Sequence, residues 1–202
     1  MSKLEFFFDC SSPWTYLAFT RIHAVAERAG AEIVWRPILV GGVFNAVNRG
    51  VYERRAKPEP RQRRYFDKDM QDWARLCGVK IVWPPTVFPV NSVTAMRGAY
   101  RAIDKGKLVP YATAVFEAYW GDDRDISDPA VLRACAGRAG LDGDELLAAA
   151  GAPANKDRLR AATEELIERG GFGSPSMFIG DDMYFGNDRL PLVEAALLRS
   201  SA

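Results

Sequence analysis

The stretch Leu4–Leu17, LEFFFDCSSPWTYL, determines how the rest of the chain is interpreted. Its first half, Leu4 to Phe8, is apolar and rich in aromatic residues, which indicates a short buried β-strand. Ser12 and Pro13 then mark the start of a helix, because serine is a favoured N-cap and proline suits the first helical position. Amide groups at this helix end carry the positive end of the helix dipole. They favour an anion, or a thiol that becomes a thiolate.

The segments on either side of this stretch extend the pattern. Apolar residues at helical spacing predict a helix from Pro13 to Arg28 that ends before Gly30. The next segment, Ala31 to Pro37, is predicted to be a second strand. Strand, helix and strand in this order form a βαβ unit, whose two strands should be parallel.

The end of the chain predicts a different unit. Ser176–Ile179 and 183–185 should form a β-hairpin that turns at 180–182, followed by a helix over 190–198. Between the two units the sequence predicts helices at 61–77, 109–120, 128–139, 142–149 and 155–169. It also predicts an extended, proline-rich segment at 80–91, after which Asn91 and Ser92 should cap a further helix that runs through Ile103. A βαβ start, inserted helices and a ββα finish predict an α/β, thioredoxin-like fold. Residues 1–60 and 170–202 would form its thioredoxin-like domain, and 61–169 its helical insertion.

The segment from Ile38 to Pro60 has neither a helical nor a strand pattern. Glycines and prolines between Ile38 and Pro60 predict an irregular loop, and long loops in compact domains are usually functional. Cations crowd its second half and the residues that follow: Arg49, Arg54, Arg55, Lys57, Arg61, Arg63 and Arg64. Such a run is either a solvated surface or a guide for anionic substrates.

Composition restricts the function classes. The chain has 202 residues, 48% of them hydrophobic, and a formal net charge of +1, which suggests neither nucleic-acid nor membrane binding. We expect a cytoplasmic protein, because no signal peptide or membrane span is recognisable. Three dispersed cysteines and one histidine, His23, build no metal site, disulfide framework or Cys-x-x-Cys motif. Cys10, the cysteine nearest the proposed site, is interpreted as a buried and inert thiol.

The motif F-x-D-x-x-S-P-W-x-Y-L resembles the N-terminus of the kappa-class glutathione transferases and 2-hydroxychromene-2-carboxylate isomerases. That family has a thioredoxin-type fold with a helical insertion, as in DsbA. Further matches are P-P-x-x-F-P-x-N at 84–91 and F-G-N-D-R-L at 185–190. Ser12–Thr15 occupies the position of Cys-x-x-Cys in the oxidoreductases of this fold. The resemblance therefore implies activation of a borrowed thiol, that of glutathione.

The resemblance also implies which residues hold glutathione. Ser12 would be the catalytic residue, donating a hydrogen bond to the sulfur. A cis bond between Ser174 and Pro175 would let the backbone pair with the cysteinyl unit. The γ-glutamyl end would be bound by Phe185, Gly186, Asn187 and Asp188, with the Asp188 carboxylate on its ammonium. The alternative is that Asn187 or Asp188 only caps the last helix.

For one glutathione contact and for the substrate contacts, the sequence leaves more than one candidate residue. Asn48 matches an asparagine that contacts glutathione in the family, although Asn45 is not excluded because the spacing is one residue short. A turn asparagine bonded to its own backbone is the alternative. For the substrate, Trp14 and Phe88 could supply apolar walls, with Trp83 a more natural core residue. An arginine such as Arg49 or Arg54 could anchor a carboxylate.

The resemblance implies a glutathione-dependent isomerase with a small aromatic substrate. We favour it over a kappa-class transferase because of the asparagine at position 187 and the basic segment. A DsbA-like oxidoreductase lacks its cysteines here, and a non-catalytic thioredoxin-like module is the remaining alternative. The family also implies a homodimer.

Overall fold

The computed structural model describes residues 2–200, and its centre is a mixed β-sheet; residues 1, 201 and 202, which the predicted thioredoxin-like domain includes, lie outside this description. The sheet has the strand order β2-β1-β3-β4. Its strands are β1 (Lys3–Phe8), β2 (Glu32–Pro37), β3 (Ser176–Ile179) and β4 (Asp182–Phe185). β1 is parallel to β2 and antiparallel to β3, which is itself antiparallel to β4. The predicted βαβ start and β-hairpin, and with them the thioredoxin-like fold, are confirmed.

Two helices complete this unit. Helix α1 (Pro13–Arg28) follows β1, and the last helix, α10 (Leu190–Ser200), packs beside α1. Arg28 on α1 donates to both carboxylate oxygens of Glu194 on α10, at 2.6 and 2.8 Å. The central strand β1 is buried by these layers, and the Phe6, Phe7 and Phe8 side chains are fully buried.

The remaining helices lie between β2 and β3 in the chain. They are α2 (Val40–Val47), α3 (Gly50–Ala56), α4 (Pro60–Cys77), α5 (Val93–Asp104), α6 (Leu108–Phe116), α7 (Pro129–Arg138), α8 (Gly143–Gly151) and α9 (Pro153–Glu168). The predicted helix at 109–120 is interrupted, because a π-helical turn over Glu117–Gly121 follows α6. The division between the thioredoxin-like domain and the insertion at residues 60 and 170 stays a prediction.

The prediction of an irregular loop from Ile38 to Pro60 was wrong, because this segment forms α2 and α3. Two glycines lower the intrinsic helix propensity of α2. Tertiary contacts outweigh that deficit: Val43 is fully buried, and the Leu39 amide donates to Thr163 Oγ1 on α9 at 3.0 Å. These contacts join residues distant in the chain, and the local pattern therefore carries no sign of them.

Asp9 connects the elements that surround the end of β1. Its side chain is fully buried. Its Oδ1 accepts a hydrogen bond from the Ser11 amide at 2.9 Å. Its Oδ2 accepts from the Val40 amide at 2.9 Å and from Ser92 Oγ at 3.0 Å. One carboxylate thus ties β1 to the start of α1, to the start of α2 and to the residue before α5.

The role predicted for Ser92 changes as a result. We expected Asn91 and Ser92 to cap the following helix. The Ser92 side chain makes no capping hydrogen bond to α5 and donates to Asp9 instead. Asn91 Oδ1 accepts from the Val93 amide at 3.1 Å, so that half of the prediction is confirmed.

Burial raises the pKa of Asp9 above its ordinary value of 3.8, although hydrogen bonds from Ser11, Val40 and Ser92 oppose the rise. Between the ordinary and the raised pKa, the folded protein keeps a proton that the unfolded chain has lost. The stabilisation from that proton is present at low pH and is lost as the pH rises through the folded pKa.

The free energy of unfolding of the wild type, minus that of Asp9→Asn, should therefore fall as the pH is raised above about 4 and then level off. Urea denaturation at a series of pH values measures this difference. Ser92→Ala removes a donor to the carboxylate, so it should raise the folded pKa further and extend the fall to higher pH without moving its onset. A difference that grows with pH would show that the hydrogen bonds outweigh burial.

Candidate active site

The start of α1 meets the segment before β3 at Ser12 and Ser174. Ser12 Oγ donates to the Ser174 carbonyl at 2.9 Å and accepts from the Thr15 amide at 3.2 Å, the predicted N-cap bond. Ser174 Oγ accepts from the Asp9 amide at 3.0 Å and lies 2.7 Å from Thr15 Oγ1. The Ser174–Pro175 bond is cis, as predicted. These contacts hold the helix start and the cis-proline segment together.

Ser12 and Cys10 differ in their accessibility. Ser12 is 9% exposed and Cys10 only 2%. The Cys10 amide donates to Met96 Sδ at 3.3 Å, and burial raises the pKa of the Cys10 thiol well above its ordinary value. This thiol is therefore protonated near neutral pH, and its predicted burial is confirmed. Only Ser12 of the two presents a polar side-chain atom at the helix start.

The segment after β4 lies against the cis proline. The Gly186 amide donates to the Pro175 carbonyl at 3.2 Å. Gly186 has a φ of 100°, a backbone conformation that residues with a side chain rarely adopt, so glycine is favoured there. Asp188 is exposed and forms an ion pair with Arg189. The predicted segment 185–188 is thus brought next to Ser174–Pro175.

Asn187 is the buried member of this segment. It is 4% exposed, and within residues 2–200 its Nδ2 has no hydrogen-bond partner. The segment Asn187–Arg189 forms a 3₁₀ turn before α10, and neither Asn187 nor Asp188 bonds an α10 amide in the described part of the chain. The capping alternative does not occur there. A buried amide without a protein partner can donate to a ligand that binds there.

The two candidate asparagines have different surroundings. Asn48 Nδ2 donates to the Phe172 carbonyl at 3.0 Å, and the Phe172 ring lies 4.5 Å from the Phe185 ring. Asn45 Oδ1 instead accepts from Tyr52 Oη at 3.0 Å, away from this segment. Asn48 is therefore the asparagine brought beside the cis-proline segment.

Aromatic side chains extend from α1 toward the insertion. We define the aromatic wall as Trp14, Phe66, Trp83 and Phe88. Successive ring centroids in it are 5.4, 5.3 and 5.1 Å apart. Trp83 is partly buried and donates from Nε1 to Asp67 at 2.9 Å. Trp14 lies in the first turn of α1, two residues after Ser12, so the wall begins at the same end of this helix.

Arg55 contacts the aromatic wall, whereas the sequence suggested Arg49 or Arg54 as the arginine near the substrate. Arg49 Nε donates to the Asn45 carbonyl at 2.9 Å. Arg55 instead lies over the Phe88 ring. Sequence reasoning also missed the roles of Asp9 and Ser92. The polar Asp9 at the end of an otherwise apolar strand was the available signal.

Residues 2–200 contain neither a candidate metal site nor a candidate membrane-spanning helix. No group of three or more histidine, cysteine, aspartate or glutamate side chains is placed there to hold a metal ion. No helix in the same part of the chain is long and apolar enough to cross a membrane.

Proteins of known name are similar in sequence to this chain along nearly its whole length. A family model for the DSBA-like thioredoxin domain matches residues 3–198. The 2-hydroxychromene-2-carboxylate isomerase of Sphingobium xenophagum is 32% identical over 196 residues, covering 96% of this chain and 97% of that protein. The isomerase of the same name from Pseudomonas putida is 32% identical over 197 residues, covering 97% and 94%. Human glutathione S-transferase kappa 1 is 25% identical over 206 residues, covering 94% and 88%.

Solved structures agree with these matches. A structure of a 2-hydroxychromene-2-carboxylate isomerase superposes with a TM-score of 0.81 at 30% identity, over 98% of this chain and 96% of that one. The sequence motifs around Ser12 and residues 185–190 therefore identified real relatives. Since both the family model and the relatives extend along nearly the whole chain, it belongs to the DsbA-like thioredoxin family, together with the 2-hydroxychromene-2-carboxylate isomerases.

Proposed function

We propose that this protein is a glutathione-dependent isomerase of the 2-hydroxychromene-2-carboxylate type, acting in the breakdown of aromatic compounds. The observation that carries the proposal is the Ser12 hydroxyl at the N-cap of α1, in contact with the cis segment Ser174–Pro175. Relatives that bear the isomerase name, 32% identical over nearly the whole chain, supply the reaction class.

Glutathione would bind along the cis-proline segment. In residues 2–200 the Ser174 amide has no hydrogen-bond partner, so it is available to the cysteinyl carbonyl of glutathione. At the γ-glutamyl end, the unpartnered Asn187 Nδ2 can donate to the carboxylate. The exposed Asp188 carboxylate can accept from the ammonium, and Asn48 borders the same segment through Phe172.

The thiol must lose its proton before it can react. A free thiol has a pKa of about 8.5, so glutathione is mostly protonated at neutral pH. The first turn of α1 has no acidic residue to offset the helix dipole, which favours a thiolate there. In this structure the Ser12 hydroxyl donates its hydrogen bond to the Ser174 carbonyl. If the cysteinyl N–H of glutathione donates to that carbonyl, the Ser12 hydroxyl can turn and donate to the sulfur.

The chemistry then consists of addition and its reversal. The hemiketal ring of the substrate first opens: the C–O bond to the ring oxygen breaks, that oxygen takes up a proton, and the hemiketal hydroxyl loses one to become a ketone conjugated with the double bond. The thiolate then adds to the far carbon of that double bond, which forms a C–S bond and moves the electron pair to the ketone as an enolate. Rotation about the former double bond follows. Collapse of the electron pair breaks the C–S bond and expels the thiolate. Glutathione is regenerated, and the net reaction is an isomerisation.

A kappa-class transferase is the second candidate, because human glutathione S-transferase kappa 1 is also a relative. The same thiolate site would serve it, but the adduct would leave intact. A disulfide oxidoreductase is disfavoured because Ser12 and Thr15 replace both cysteines of Cys-x-x-Cys. A non-catalytic binding module would bind no glutathione or would bind it without reaction.

The stoichiometry of glutathione separates these candidates. With 2-hydroxychromene-2-carboxylate in large excess over glutathione, the protein should convert many equivalents of substrate per glutathione. Chromatography of substrate, product and free thiol measures the ratio. Consumption of glutathione one for one, or conjugation of a standard electrophile without isomerisation, would replace the isomerase by the transferase.

Replacing Ser12 by alanine should lower turnover by about tenfold to a hundredfold, since a hydrogen bond to a charged group is lost. The variant also loses an N-cap, a change that costs about 1 kcal/mol of stability. Asp142→Ala is the matched control, because Asp142 caps α8 by accepting from the Glu145 amide at 2.8 Å, on a helix outside the site. Equal turnover in both variants would exclude Ser12 from the mechanism.

A cytoplasmic location and a homodimer belong to this proposal as well. A reduced glutathione pool is found in the cytoplasm, where thiols stay reduced. The cysteines of this chain are free in the structure.

A further inference from the structure

Arg55 on α3 is held between two aromatic rings. Its guanidinium carbon lies 5.2 Å from the centroid of Phe88 and 5.6 Å from that of Phe44. Phe88 is also the last member of the aromatic wall, and its ring is 5.1 Å from that of Trp83. Phe44 belongs to α2, whose first amide donates to Asp9. Two independent elements therefore fix Arg55 at the far end of the wall from Ser12.

Arg55 has a charge without a partner. In residues 2–200 it forms no ion pair and no hydrogen bond, whereas Arg28, Arg138 and Arg158 each pair with an acidic residue. Arg55 is an exposed residue, but its guanidinium is partly desolvated, which lowers its pKa from the ordinary value. An arginine remains protonated at neutral pH despite such a shift. Its donors are thus preorganised and unused.

We propose that Arg55 is the residue that anchors a carboxylate of the substrate, and that it makes the site selective for anionic aromatic electrophiles. The aromatic part of the substrate would pack along the wall between Trp14 and Phe88. Its carboxylate would form a two-pronged ion pair with the Arg55 guanidinium. The proposal rests on the proposed function, because it assigns a group to the substrate of that site.

The arginines that the sequence suggested are placed less well for this task. Arg49 uses its Nε on the Asn45 carbonyl. Arg54 makes no ring contact in the described residues, and its guanidinium lies near Gly50 of its own helix. Arg55 differs from both because the Phe88 ring is part of the surface against which the substrate would pack.

Binding without turnover tests the anchor. Benzylidenepyruvate and its methyl ester share one aromatic conjugated skeleton and differ in charge. Quenching of tryptophan fluorescence measures their dissociation constants in the absence of glutathione, because Trp14 and Trp83 line the wall. The wild type should bind the acid at least about tenfold more tightly than the ester.

Two substitutions on one helix separate anchoring from general attraction of anions. Arg55→Gln should weaken the binding of the acid by about tenfold or more and leave that of the ester within about twofold. Arg54→Gln removes the same charge one residue away and should change neither. Arg55→Lys keeps the charge without the two-pronged geometry and should fall between wild type and Arg55→Gln.

Each outcome decides the matter. Equal losses for Arg54→Gln and Arg55→Gln would show diffuse electrostatics, and equal losses for acid and ester would show a structural role; either overturns the anchor. A wild type that isomerises its substrate but binds acid and ester alike also overturns it, with the proposed function intact. Charge-selective binding that depends on Arg55, in a protein without isomerase activity, keeps the anchor and overturns the proposed function.

Discussion

The buried carboxylate of Asp9 is the constraint on which the site depends. It accepts from the start of α1, the start of α2 and Ser92 before α5. In residues 2–200 no cation pairs with it, so these hydrogen bonds alone compensate for its burial. The thioredoxin-like sheet and the helices of the insertion are therefore held in one arrangement at the point where Ser12 emerges. A site built on several elements needs such a connection, because small displacements cost catalytic efficiency.

The contact between Ser12 and the Ser174 carbonyl explains how an unremarkable hydroxyl can take part in catalysis. Serine by itself is a poor acid and a poor nucleophile. Here it sits at the positive end of a helix, on a carbonyl that a peptide-like ligand can also use. Ligand binding is thereby coupled to the direction in which the Ser12 hydroxyl donates its hydrogen bond. An ionised Asp9 would oppose a thiolate nearby, because like charges disfavour each other.

Local sequence signals correctly predicted those helices, strands and turns whose formation depends on residues close together in the chain. The apolar run into Ser12–Pro13 predicted β1 and α1, and the glycine turn predicted the β3–β4 hairpin. Helix α2 was missed because its two glycines hide a helix that Thr163 and Asp9, both distant in the chain, stabilise through hydrogen bonds. Ser92 looked like a helix cap for the same reason, since no local pattern reveals a partner at Asp9.

The cationic segment shows the limit of reasoning from composition. Its arginines are equivalent in the sequence, and only the fold distinguishes Arg55, whose guanidinium lies over two rings, from Arg49, which bonds a carbonyl of the preceding helix. The family motifs, by contrast, correctly indicated the segments at Ser12, Ser174 and 185–188 that the fold brings together. Short motifs succeed where the geometry is set within a few residues.

The central claim is that the sulfur of glutathione lies at the start of α1, beside Ser12 and the cis-proline segment. A crystal structure of the protein with glutathione tests it most directly. We predict a sulfur within hydrogen-bond distance of Ser12 Oγ and a cysteinyl backbone paired with Ser174. A sulfur bonded to Cys10, or glutathione bound away from the 185–188 segment, would contradict the account.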